Sequence, residues 1–118
     1  MKIKINDVEL NLNIYDADVA ERLEKEIDKF ERRRTEIEKM TKPKLSTQIR
    51  KTCNIICDFI DGVFGEGTAF KIFDGSVDLI ESIKAYRDII SAISDEKTVL
   101  SDLTDELDSL KAQNKSGK

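Results

Sequence analysis

The segment FGEGTAFKIFDG, from Phe64 to Gly75, holds three of the chain's five glycines and three of its five phenylalanines. What it can be decides what the flanking sequence can build. A dinucleotide loop needs glycines spaced G-x-G-x-x-G after a strand, and a phosphate loop needs G-x-x-x-x-G-K-[ST]. Gly65-Glu66-Gly67 supplies two glycines, Phe70 stands where the third belongs, and Glu66 would repel a phosphate. The preceding residues have helical spacing, not a strand's alternation. The segment is therefore expected to join helices. Gly65 would take a left-handed conformation that closes the helix before it. Thr68 would cap a short helical turn that Phe64, Phe70, Ile72 and Phe73 anchor to the core. Asp74-Gly75 would make a turn, and Ser76 would cap the next helix, with Asp78 near its positive end.

The rest of the chain divides around this connector and the single proline. Residues 1–14 read as a β-hairpin: Ile3 and Ile5 alternate with lysines, Asn6-Asp7 forms a two-residue turn, and Val8, Leu10, Leu12 and Ile14 share one face. The turn would set Ile5 opposite Val8 and Ile3 opposite Leu10. Asp16 or Asp18 then caps a long helix over 16–41, Asp18 with Glu21 having capping-box spacing. Its narrow stripe is Val19, Leu23, Ile27, Phe30, Ile37 and Met40. Pro43 stops it and biases Lys42 away from helix. A core helix over 46–64 carries Ile49, Cys53, Ile56, Cys57, Ile60 and Phe64. C-terminal helices occupy 76–110, with the stripe Val77, Leu79, Ile80, Ile83, Tyr86, Ile90 and Ile93. Ser94-Asp95 is either a break or solvated surface on one continuous helix. Leu100, Leu103, Leu107 and Leu110 follow at heptad spacing, and such a seam is expected to pack onto its own fold in preference to acting as an independent zipper. Residues 111–118 read as a disordered tail. The fold class is mostly α, a single small helical domain with an N-terminal β-hairpin.

Composition narrows the chemistry. Histidine is absent, which removes the commonest general base and the commonest transition-metal ligand. Cys53 and Cys57, four apart in an apolar run, read as small core residues on one helical face. No HExxH or G-x-S-x-G pattern occurs, so no catalytic, cofactor-binding or metal-binding residue is assigned and the chain reads as a non-enzyme. The N-terminus carries an acid and a base too early for a signal peptide, and no apolar stretch reaches the roughly 18 residues of a membrane span. A cytoplasmic protein without membrane contact is expected.

The net charge of −4 conceals a polarity. Residues 29–51 hold nine bases against three acids, and residues 74–108 hold ten acids against three bases. Opposite patches steer encounter and fix register, so head-to-tail self-association or docking to a charged helical partner follows as an expectation. Arg32, Arg33 and Arg34, together with Leu100, Leu103, Leu107 and Leu110, are the candidate partner-binding residues. Arg32-Arg33-Arg34 could also contact phosphates, but consecutive helical positions point to different sides, and a pI near 5.0 argues against nucleic acid.

The order of elements resembles a known family. The stretches KIKINDVELNLN, YDADVAERLEKEIDKF, CDFIDGVFGEGTAFKIFDG and SVDLIESIKAYRDII are similar to small tail-assembly-chaperone-like proteins of long-tailed phages and prophages of Gram-positive gut bacteria. The likeness covers about residues 1–93, and the C-terminal leucine segment departs from it. It implies a non-catalytic protein in the bacterial host cytoplasm that coats a helical tape-measure protein, keeps it soluble and recruits tail-tube protein. Homo-oligomers are expected. A structural or adaptor subunit of the virion is the alternative, followed by a nucleic-acid-binding regulator using residues 29–51.

Overall fold

The computed structural model describes residues 1–116, with side chains through residue 110. It is mostly α with an N-terminal hairpin. Strands β1 (Lys2–Ile5) and β2 (Val8–Asn11) pair antiparallel, with Ile5 opposite Val8 and Ile3 opposite Leu10, as the alternation requires. Asn6 and Asp7 both take positive φ, +48° and +64°, the two-residue turn whose twist matches that of its strands. The Asn6 amide donates to the Ile72 carbonyl and the Glu81 carboxylate, tying the hairpin tip to the connector and the last helix.

Helix α1 (Ala17–Glu38) starts at Asp16, whose carboxylate accepts from the Asp18 and Val19 amides; the alternative cap at Asp18 is not used. The helix ends before Pro43, and Lys42 takes a left-handed φ of +47°. Helix α2 (Leu45–Phe64) folds back antiparallel to α1, since Phe30 meets Phe59 while Arg22 donates to the Val63 carbonyl. It is the centre of the molecule and is buried over a wider face than its three-and-four spacing suggests. Ile55, Phe59 and Val63 join Cys53, Ile56 and Ile60 inside. Ile49, expected in this core, is only half-buried, because it lies beside Val77, ahead of the start of α4, where no helix covers it. Fully burying side chains of this size contributes about 1.5–3 kcal/mol each.

The glycine segment is a connector, with three details changed. Gly65 sits at φ +121°, ψ +150°, a region open to glycine but not the left-handed one; that conformation falls on Gly67 (φ +88°, ψ −7°). Thr68 begins the short helix α3 (Thr68–Phe73) without capping it, and its hydroxyl donates back to the Gly65 carbonyl at 2.7 Å. The cap comes from α2: Asp61 Oδ1 accepts from the Ala69 amide at 2.9 Å. Ile72 and Phe73 anchor α3, whereas Phe70 is 67% exposed. In so short a helix only one side can face α2, and Ala69, Ile72 and Phe73 occupy it.

Helix α4 (Leu79–Ser116) is one uninterrupted helix through 94–95, capped by Asp78, which accepts from the Glu81 amide at 2.8 Å; Ser76 does not cap it. The helix continues through 111–116, where a tail was expected, and residues 117–118 lie outside those described. It runs in the same direction as α2, with Ser82 against Cys53 and Tyr86 against Phe59. Its buried face is Ser82, Ala85, Ile89 and Ile93, while Val77, Ile80 and Ile83 of the expected stripe are exposed. Small residues at 82 and 85 let α4 approach α2 closely, so the bulky residues beside them fall outside the contact. Phe30 stacks on Tyr86 at 4.2 Å between centroids, and Phe59 meets both rings edge-on, joining α1, α2 and α4. Among the described residues no helix is long and apolar enough to cross a membrane.

Candidate protein interface

Beyond the globular body, α4 continues alone. The body ends at Glu96, whose carboxylate accepts from the Tyr15 hydroxyl and lies 3.8 Å from the N-terminal ammonium. That hydrogen bond, with burial and the carboxylate's charge behind it, raises the Tyr15 pKa above the usual tyrosine value. One three-and-four alternation runs along α4 through Tyr86, Ile89, Ile93, Glu96, Leu100, Leu103, Leu107 and Leu110. Up to Ile93 this face is core. From Leu100 no other element among the described residues covers it, and the four leucines are 45–65% exposed. The expectation that they pack onto their own fold is overturned, because a continuous helix carries them past the last element that could cover them. The molecule measures 69 × 33 × 22 Å, and the long axis reflects this projection. Between the leucines stand Asp102, Asp105, Glu106 and Asp108, with no base from Leu100 to Leu110.

At the opposite end, where α1 finishes and α2 begins, lies an open groove of about 380 Å³. Its floor is Ile37, Met40 and the buried Ile55; Arg33, Glu36 and Lys51 stand on its rim. Spacing on α1 and α2 taken separately could not reveal it, because residues 33–40 and 51–55 line it together only once the chain has turned at Pro43.

The three consecutive arginines do not form one patch. Arg33 turns inward and pairs with Asp58 on α2, at the groove. Arg34 reaches Glu38 one turn along, at 3.4 Å, and Arg32 is exposed with no ion pair among the described residues. Exposed i, i+4 pairs of this kind contribute only a few tenths of a kcal/mol. Splayed arginines do not present the continuous basic stripe that tracks a phosphate backbone.

Cys53 and Cys57 are free thiols, one buried and one half-buried. Burial first, then the charges of Cys53, Asp61 and Asp58, push the Cys57 pKa up, which makes it a poor nucleophile. Among the described residues no three cysteine, aspartate or glutamate side chains gather as metal ligands. What the surface offers is an uncovered leucine face bordered by acids and, far from it, a groove with an apolar floor and a polar rim on which Lys51 is an unpaired base among the described residues.

A family model described as a family of unknown function (DUF6673) matches residues 6–118, from the hairpin turn through all four helices. No curated protein and no solved structure matches the chain.

Proposed function

The chain belongs to the DUF6673 family of unknown function, and we propose that it is a non-catalytic assembly chaperone for the tails of long-tailed phages or prophages, working in the bacterial host cytoplasm. It would bind the helical tape-measure protein, tail-tube subunits or both during tail morphogenesis. The resemblance carried by the hairpin, the first helix and the FGEGTAFKIFDG connector supports the biological setting. One structural observation carries the mode of action: the apolar seam that builds the core continues along α4 as four uncovered leucines. An amphipathic helix with one bare apolar face recognises other helices through anchors at three- and four-residue spacing. Leaving those leucines in water forgoes the stabilisation that covering them would bring, so a transient protein partner is the natural use of the face.

Co-expression with the tape-measure gene product tests the reading. The expected result is that the client becomes soluble and co-purifies with this chain, and that a Leu103→Asp, Leu107→Asp double variant fails to hold it. A client that is equally soluble and purifies alone refutes the chaperone function. Abundant protein in purified mature particles would assign it to the virion as an adaptor subunit instead.

A further inference from the structure

We infer that, before a client is engaged, the leucine face of α4 is covered by a second copy of this chain, seated in the groove between α1 and α2. Three observations converge on that occupant. The first is position. Tyr15 and the N-terminal ammonium hold Glu96 at the end of the body where α1 starts, and α4 leaves from there, whereas the groove sits where α1 ends. A straight helix leaving one end cannot fold back to the other, so a leucine face and a groove on the same molecule cannot satisfy each other.

The second is chemistry. The groove's floor of Ile37, Met40 and Ile55 offers apolar contact to leucines on a helix lying across it, and Arg33, Glu36, Lys51 and Asn54 line the rest of its roughly 380 Å³. Lys51 on its rim is exposed and has no ion pair among the described residues, and Arg32, Lys39, Lys42 and Lys44 lie on the neighbouring turns. Glu36 is the one acid on the rim. The extension that would cross it carries four acids, Asp102, Asp105, Glu106 and Asp108, and no base between Leu100 and Leu110. Apolar contact with opposite charge around it gives both affinity and register.

The third is the weakness of the symmetric alternative. Pairing two α4 extensions would bring two acidic flanks together over about two heptads, fewer than the three or four that sustain a coiled coil. The contact is instead heterologous, one copy's extension in the next copy's groove, and such contacts form open chains unless the rotation happens to close a ring. It requires no client, so its test is separate from that of the chaperone function.

Sedimentation velocity of the full chain, across a protein-concentration series at low and high salt, reads the contact. The expected result is self-association that weakens with salt, and that weakens about tenfold or more in Leu103→Asp/Leu107→Asp and in Lys51→Glu. Circular dichroism confirms folding, since all three positions are exposed. Mixing is the decisive arm. The leucine variant keeps its groove and the Lys51→Glu variant keeps its extension, so a one-to-one mixture should show only the dimer that one intact pair of surfaces allows. That dimer should be lost when the leucine variant also carries Met40→Glu. A monomer at every concentration overturns the inference. So does association that the leucine substitutions abolish and the groove substitutions leave unchanged, which would assign the face to symmetric α4 pairing.

Discussion

Replacing Ile60 and Leu107 by alanine deletes similar hydrocarbon from two places that the fold treats oppositely. Ile60 has 0% exposure in the C-terminal half of α2, whereas Leu107 is 65% exposed on the extension. Ile60→Ala removes three carbons worth about 0.8 kcal/mol each on transfer, roughly 2.4 kcal/mol. The cavity left in the buried cluster raises the expected loss to about 3–4 kcal/mol. Leu107→Ala forfeits only the third of that transfer energy that burial provides, about 0.8 kcal/mol, and alanine's helix propensity offsets part of it. At this chain length 1 kcal/mol shifts the melting point by about 4 °C, so the expected drops are about 12–16 °C and under about 3 °C. Urea unfolding at low protein concentration, followed by the near-ultraviolet dichroism of Tyr86 in its aromatic cluster, measures the body without the extension's own helicity. Equal losses in the two variants, or a cost below about 1 kcal/mol for Ile60→Ala, would refute the placement of the core on α2.

Other perturbations test separate parts of the molecule. Asp7→Gly places glycine at a φ of +64° and should stabilise by about 0.5–1 kcal/mol in urea titrations, because the 3.9 Å Lys4–Asp7 pair it removes is fully solvated. Asp61→Ala removes the acceptor for the Ala69 amide; a loss of about 0.5–2 kcal/mol, with faster hydrogen exchange at Ala69, is expected, and unchanged exchange would mean that the bond does not hold α3. The raised Cys57 pKa should keep its alkylation by iodoacetamide at neutral pH slower than that of a free cysteine peptide, with Cys53 modified only on unfolding. Burial, and secondarily Glu31, raise the Tyr86 pKa above its ordinary value of 10.0. A raised folded-state pKa contributes stability that is complete below the unfolded value and lost as pH climbs past it. Alkaline destabilisation should therefore begin near pH 10 and be reduced in Tyr86→Phe.

Much of the architecture is local and so was legible in residue order. Hairpin register follows from period-two alternation around Asn6-Asp7, and the helix breaks follow from Pro43 and the glycines at 65–75. Helical spacing also marked Leu23, Phe30, Ile56 and Ile60 as inward, and all four are buried. The connector's role was legible for the same reason: phosphate loops are local motifs, and this one has neither the spacing nor the preceding strand. The Asp61–Ala69 cap was not legible, since an aspartate on one helix reaching a turn eight residues on leaves no periodic signal.

On α4, periodicity alone fell short. Along this helix Ile80, Ile83, Ile90 and Leu103 are equally apolar, and their spacing records that a face exists without recording which neighbour arrives to cover it. The arrival of α2 against Ser82 and Ala85 made one face core and left Ile80 and Ile83 outside. The end of the body at Glu96 left Leu100 to Leu110 bare, and the meeting of the end of α1 with the start of α2 formed the groove. Pattern along a chain is set by backbone geometry, which every residue carries with it; burial is set by contact between segments distant in sequence, which only the assembled fold supplies.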